Sequence, residues 1–467
     1  MKKNFEHQLV KTIAILIFLA NAFGTVHAQT SSYSANSIPI SGGSNVAFGE
    51  NALNNTGTGM FNTALGRYSL TANTTGSLNV ASGYSSLYWN TTGYNNTASG
   101  AYSLTANTTG NSNTASGYSS LSSNTSGYSN TASGASSLSF NTTGNYNTTS
   151  GFASLNLNTT GSYNTAAGAN SLYSNTTGSN NTATGYRSLY SNTTGAENTA
   201  SGLESLYSNS GNANTGTGHK SLYANTTGYF NTATGAYSLY GNTTGFFNTA
   251  TGYRSLGGNS TGSYNTSTGY RSLFQNVTGD CNTVTGYRSL YSNISGSHNT
   301  VLGDSAGFNS LGSNNLYLGS RAGFYETGSN KFYVAADSNK TILYGDFSTG
   351  QILMGMPQPN GYVFKGTRTL NVLGGVLADS VRVALSSGWA DYVFDESYNL
   401  MPLKKLAEYI RDNKQLPGIP ASAEVEKNGI ELGNMNRKLL EKIEELHLYI
   451  LRQQKEIDEL KEIVKNK

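Results

Sequence analysis

The sequence predicts a mainly β chain: a parallel β-solenoid, or β-roll, of about sixteen 17-residue repeats, then a small α+β region and a C-terminal α-helical coiled coil. Three observations carry this expectation. Glycines recur every 17 residues from Gly49 to Gly202 and, after a one-residue deletion near Ser210, resume from Gly218 to Gly303. Residues 45–318 hold only 11 charged side chains, whereas residues 371–467 hold 30 of the 53 in the chain. Residues 432–467 carry apolar side chains at heptad spacing.

Composition sets the outer bounds. Hydrophobic residues make up 36% of the 467, and 32 of the aromatics are Tyr. That is too little aliphatic matter for one large core, yet too much Tyr and too little charge for a disordered chain. A net charge of +3 gives no electrostatic case for nucleic acid. A lone cysteine, Cys281, excludes a disulfide framework and a cysteine-based zinc site.

Taken in order, the chain begins with Lys2, Lys3 and Lys11, an apolar run from Thr12 to Ala20, and Val26-His27-Ala28. This pattern reads as a secretory signal over 1–28, cleaved after Ala28, because the apolar run is far short of the roughly 20 residues a bilayer span needs. No other segment is apolar enough to span, so the mature chain is expected to have no transmembrane segment. It is expected to be exported: secreted, cell-surface or outer-membrane-associated, with the periplasm as the remaining compartment. Residues 29–44 read as a linker.

Residues 45–318 form the repeat, with consensus N-T-A-[ST]-G-Y-x-S-L-x-x-N-T-T-G-x-x. The unit is too short for a helical pair and too rich in Gly and β-branched residues for a helix. Stacked coils pair each short strand with its copies, adding ~4.8 Å per repeat, so sixteen would make a rod of roughly 75–80 Å. No proline interrupts the run. The two glycines of each unit are expected to supply turns with positive φ. The N-T-A asparagines, Asn62 through Asn299, and those of N-T-T-G are expected to form two hydrogen-bonded ladders. Their sequons therefore read as turn chemistry rather than glycan sites. The residues flanking the central Ala are exchanged for Val46/Phe48, Leu65 and Leu302 in outer copies, which suggests inward slots filled elsewhere by stacked hydroxyls. The position two after the main Gly takes Arg187, Glu204, Lys220, Arg254, Arg271 and Arg288 and is expected to face water. Arg187, Lys220, Arg254, Arg271 and Arg288 are the candidate binding face.

N-V-A-F-G at 45–49 and N-T-A-L-G at 62–66 resemble the head repeats of trimeric autotransporter adhesins, which also occur in tail-fibre-like proteins. The resemblance implies a parallel β-roll in a trimeric adhesin. That family ends in membrane-anchoring strands, whereas this chain ends in a charged helix.

Residues 319–385 read as a β-rich transition, through S-N-K-F-Y-V-A, I-L-Y-G-D-F-S-T-G and T-L-N-V-L-G-G-V-L. Residues 386–431 read as a small α/β module, with a short helix from Met401 to Asn413 and a turn at L-P-G-I-P. The tract Trp389–Lys467, with D-Y-V-F, L-P-G-I-P and N-M-N-R-K-L-L-E-K-I-E-E-L, resembles the endosialidase-type intramolecular chaperone modules of surface and tail-fibre-like proteins. That resemblance implies a role in assembling trimers. The self-cleaving relatives use a Ser-Asp pair with a nearby Lys, and Asp379-Ser380 has the reverse order.

In residues 432–467, Asn436, Ile443, Ile450, Ile457 and Val464 fall at a, and Leu432, Leu439, Leu446, Gln453 and Leu460 at d. Ile at a with Leu at d suits a parallel dimer, and Leu440, Tyr449 and Ile463 beside the seam widen it toward three strands. A homotrimer is expected, with a dimer next. No paired carboxylates, nucleophile arrangement or phosphate loop is present, so neither enzyme, cofactor nor metal is expected. The function expected is a non-enzymatic surface fibre engaging a host protein, matrix protein or glycan. The alternative is an ice- or polysaccharide-binding solenoid using Thr-x-Thr ladders such as Thr182/Thr184 and Thr232/Thr234.

Overall fold

The computed structural model describes residues 45–55, 57–355, 368–372, 374–383 and 389–467. The expected signal and linker lie outside the described residues. The chain divides into two compact units, Met1–Gly374 and Gly375–Lys467.

The first unit is a parallel β-solenoid. From β1 (Val46–Phe48) to β17 (Leu316–Leu318), seventeen strands of three residues each stack in unbroken parallel register. Val46 pairs with Thr63 and Thr182 with Thr199, and so on along the stack. The 16-residue spacing between β10 (Thr199–Ser201) and β11 (Thr215–Thr217) leaves the register intact, because the missing residue falls in the turn at Asn209-Ser210-Gly211. Strand β18 (Lys331–Ala335) adds one more parallel rung. The stack thus has about eighteen turns, more than the sixteen copies expected, because the degraded copies around Leu316 and Phe332 keep the backbone path. Its strand-to-strand length is about 80 Å. The ladder then turns antiparallel through β19 (Thr341–Asp346) and β20 (Gln351–Met354), and β21 (Leu370–Val372) lies parallel to β20.

Each coil is shaped by its two glycines, for different reasons. Gly134 sits at φ +130°, where a Cβ would come 2.5 Å from the carbonyl oxygen of Gly151 in the next coil. Gly127, the glycine of the second turn, needs no positive φ. A Cβ there would meet the Asn124 Oδ1 at 2.4 Å and the Gly144 oxygen at 2.5 Å, so crowding selects it. This corrects the expectation that both glycines supply positive φ. The left-handed backbone falls instead on ordinary residues such as Ser119 and Leu121, both at φ 51°. That conformation costs roughly 1–2 kcal/mol per residue. Each residue recovers a bond between coils: the Ser119 amide donates back to Ala101 and the Leu121 amide forward to Ser137, both at 3.0 Å.

The interior is narrow and half polar. The central Ala and the Leu of nearly every coil are fully buried, and so are one Ser and both Asn. Burying each Leu contributes about 2 kcal/mol. The Asn ladders form as expected. Asn113 donates its backbone amide and Nδ2 to Asn96 Oδ1 at 3.0 and 3.1 Å, and Nδ2 also reaches the Gly127 oxygen at 2.9 Å. In the second ladder Asn124 Nδ2 donates to Asn107 Oδ1 at 2.7 Å and to the same Gly127 oxygen at 2.9 Å. The sequon asparagines of both ladders are thus buried and engaged.

The inward-slot expectation is overturned. In most strands the central residue is buried and both flanking residues are exposed. A three-residue strand alternates faces, and the interior, already holding Leu, Ser and two Asn, leaves the centre room for a small side chain. At Gly216 even a Cβ would come 2.6 Å from the Ser205 hydroxyl. Phe48, Leu65 and Leu302 therefore point outward.

The second unit holds a 3-10 turn at Ala390–Phe394, α1 (Leu403–Asn413), α2 (Ser422–Asn428) and α3 (Leu432–Lys465). Helix α1 starts after Pro402 rather than at Met401, since proline takes the position preceding the first helical residue. Helix α2 was not anticipated. One side of α3 is anchored: Tyr392 and Tyr398 donate to Glu441 and Glu445, and Tyr449 donates to the Met401 carbonyl oxygen. Tyr449 is buried in its own module, which corrects its assignment beside an oligomer seam.

Candidate ligand-binding face

Outward-pointing positions recur at one height of every coil, so a residue type repeated in sequence becomes a column on the rod. The position one after the buried Leu is aromatic from Tyr173 onward. Tyr173, Tyr190, Tyr207, Tyr223 and Tyr240 stack with centroids 5.1–5.3 Å apart and rings within 13° of parallel. Gly257 interrupts the column, which resumes as Phe274, Tyr291, Phe308 and Phe324. A second column, Tyr253, Tyr270 and Tyr287, follows the main glycine.

The cations lie between these columns. The Arg187 guanidinium sits 5.1 Å from the Tyr186 centroid and 5.5 Å from that of Tyr190. Arg271 lies 5.5 Å from Tyr270 and 5.6 Å from Phe274, and Arg288 lies 5.7 Å from Tyr287 and 5.6 Å from Tyr291. Arg254 bridges Tyr237 and Tyr253. These side chains are half-buried, not splayed into water as expected, because the guanidinium plane is weakly hydrated and lies well on aromatic faces. The Nε atoms of Arg187, Arg271 and Arg288 are buried with no hydrogen-bond partner among the described residues.

All five expected residues share this face, but they are not equivalent. Arg254, Arg271 and Arg288 occupy consecutive coils and form a compact basic stripe. Lys220 stands 3.4 Å from Glu204 in the neighbouring coil, which pairs its charge. Burial works against the Lys220 ammonium, and the Glu204 bond more than offsets it, holding its pKa above the ordinary value. Arg321 continues the face over Phe324 at 5.9 Å. Sequence reasoning missed it because a second one-residue deletion, between Gly303 and Gly319, ends the visible period.

A different face carries the strand flanks. The first strand position is Thr in every coil from Thr97 to Thr300, and the third is Ser or Thr in nearly all of them. Adjacent hydroxyls along each column repeat at ~4.8 Å. Among the described residues, no cluster of three or more His, Cys, Asp or Glu stands together. Cys281 is exposed in a column that elsewhere holds Tyr264 and Phe247. No described helix is long and apolar enough to cross a membrane.

The fold and its columns define a β-solenoid repeat protein. Comparison with family models, with curated proteins and with solved structures finds no match to this chain.

Proposed function

We propose that this chain is a non-enzymatic, exported surface fibre. Its sixteen consensus copies form a display rod, and residues 432–467 assemble it as a parallel homotrimer. The observation that carries this reading is the unpartnered seam of α3. Leu439, Ile443, Leu446 and Ile450 are 45–55% exposed on a helix whose other side is already anchored. An apolar stripe at heptad spacing on a 34-residue helix is what a coiled-coil partner covers. Leu440 and Ile463 still flank the seam and favour three strands. The likeness to trimeric adhesin heads and to chaperone modules of fibre proteins agrees with this reading. Light scattering on the exported protein should give three chains per particle. Leu446→Lys with Ile450→Lys should give one, with helical circular dichroism retained. A wild-type monomer would refute the fibre.

A second reading is favoured by one observation, the outward orientation of the Thr and Ser flanks. A flat, evenly spaced hydroxyl lattice can order water or match a crystalline polysaccharide. Thermal hysteresis of the wild-type rod, abolished by Thr232→Lys, is the expected signature. An ordinary freezing curve would end the ice-binding version of this reading.

A further inference from the structure

The aromatic and cationic face is not continuous, and its interruption is a groove of about 560 Å³. At the position that elsewhere holds Arg, four successive coils carry Ser119, Ser136, Ala153 and Asn170. Three of them carry Ser122, Ser139 and Asn156 where the Tyr column later begins. Large side chains on either side of these short ones leave a trough four rungs long, about 19 Å. Part of its floor is fixed internally, by Ser122 against Ser139 at 2.9 Å and by Asn156 Nδ2 on the Ser136 carbonyl at 2.7 Å. The hydroxyls of Ser119 and Ser136 and the amide of Asn170 have no hydrogen-bond partner among the described residues, so they are available to a ligand.

The walls are of another chemistry. Phe140 and Phe152 are 52% and 60% exposed, and neither has a ring packed on it among the described residues. Tyr118, Phe152 and Tyr186 occupy the same position in alternate coils, with Ala135 and Ala169 between them. Where aromatics occupy successive coils, each ring fills the one-rung space beside the next. Here the alanines leave that space open, one ring thick. The C-terminal end is closed by Tyr173, Tyr190 and Arg187. Arg187 has no carboxylate partner among the described residues, and its buried Nε bonds nothing.

We propose that this groove binds an acidic oligosaccharide, with Arg187 taking a sugar carboxylate. This deepens the reading of the rod as a display fibre and rests on it. A pyranose offers apolar C–H faces to aromatic rings and a rim of hydroxyls to the Ser and Asn floor. Its carboxylate matches the planar donor fork of Arg. The shape is a trough open at the surface, as suits a segment of a long polymer.

The test is calorimetric titration of the full exported chain with short oligogalacturonides, with malto-oligosaccharides of equal length as the neutral arm. The acidic series should bind and the neutral series should bind at least tenfold more weakly. Arg187→Ala should weaken acidic binding roughly ten- to hundredfold, the loss of one charge-assisted contact. Arg187→Lys should retain part of it. Ser136→Trp, which fills the floor and keeps Arg187, should abolish binding, and Arg67→Ala, an exposed arginine paired with Glu50 three coils before the groove, should leave it unchanged. Equal affinity for both series, no binding of either, equal loss in Arg67→Ala, or displacement by an acidic peptide alone would overturn the proposal. A change of oligomeric state in Ser136→Trp would also overturn it, by making the groove an interface between copies. Light scattering on the same samples separates the two readings, because a monomer that still binds refutes the fibre and keeps the groove.

Discussion

Asparagine does in this rod what backbone does in an ordinary sheet. Asn124 gives both Nδ2 hydrogens, to Asn107 and Gly127, and takes one from Asn141 at 2.8 Å. Asn124→Ala therefore strands Asn107 Oδ1 and one hydrogen of Asn141 in a dry interior, at about 1–3 kcal/mol for each group left unpaired. Asn293 ends the same ladder: position 310 is Ser, and the Asn293 Oδ1 has no partner among the described residues. Asn293→Ala should thus cost about half of what Asn124→Ala costs, an expected difference of roughly 1–3 kcal/mol. Urea melts of the two variants check it, and equal losses would mean the ladder carries no cumulative bonding. These columns were legible because Asn, Leu and Gly hardly vary from coil to coil. The strand flanks misled because Val46, Phe48 and Leu302 are apolar residues placed outside, and hydrophobicity alone does not tell which face a three-residue strand turns inward. The half-buried Arg was hidden for a related reason, since the tyrosines that cover it come from other positions of the coil.

At the scale of elements, α3 was legible in extent and in the heptad spacing of its exposed apolar residues, but not in what holds its other side. The heptad shows in sequence, whereas the contacts of Tyr392 and Tyr398 cross 49 and 47 residues of chain. Those contacts make the anchoring depend on pH in both directions. Burial opposes ionisation of Glu441, but the bonds from Tyr392 and Lys442 outweigh it and hold its pKa below the ordinary value. A lowered carboxylate pKa stabilises above the unfolded value, and the gain is lost as pH falls through the folded one. Tyr392 is raised by its bond to Glu441, and Tyr398 by burial and then by its bond to Glu445. Raised phenols stabilise below their unfolded value, about 10, and that gain is lost as pH climbs through the folded ones. Trp389, beside the 3-10 turn, is a reporter once Trp89 is replaced by Phe. Its fluorescence should be flat from about pH 5 to 9 and change on both sides. Tyr392→Phe should move the acid transition to higher pH, because Glu441 loses a donor. An unmoved acid midpoint would show that Tyr392 does not hold Glu441.

At the scale of the solenoid, each coil touches only the coils before and after it, so the first unit behaves as a one-dimensional stack. The chain itself shows which edits such a stack tolerates. A residue is missing between Asn209 and Gly211, and Asn209 Nδ2 still reaches the Gly211 oxygen at 2.8 Å. Strand register passes through unchanged. The turn absorbs the loss because the missing residue is one of the two solvent-facing hydroxyl residues between the buried Asn and the Gly, whereas a residue lost from the Ser-Leu segment would rotate Leu out of the core. Removing one complete coil, residues 134–150, brings Ser133 to Gly151 and recreates the Ser-Gly junction found in the intact chain. The Asn130 and Asn164 ladder positions become neighbours, as do Ala132 and Ala166, so no donor is orphaned. The expected product folds, melts within a few degrees of the parent, and is shorter by one strand spacing, ~4.8 Å, in small-angle scattering. Removing residues 134–141 instead cuts the coil in half and places strand residues against turn residues. That variant should lose the cooperative melt. If both deletions melted alike, stability would reside in the ends of the stack, and the coil-by-coil account of this rod would be wrong.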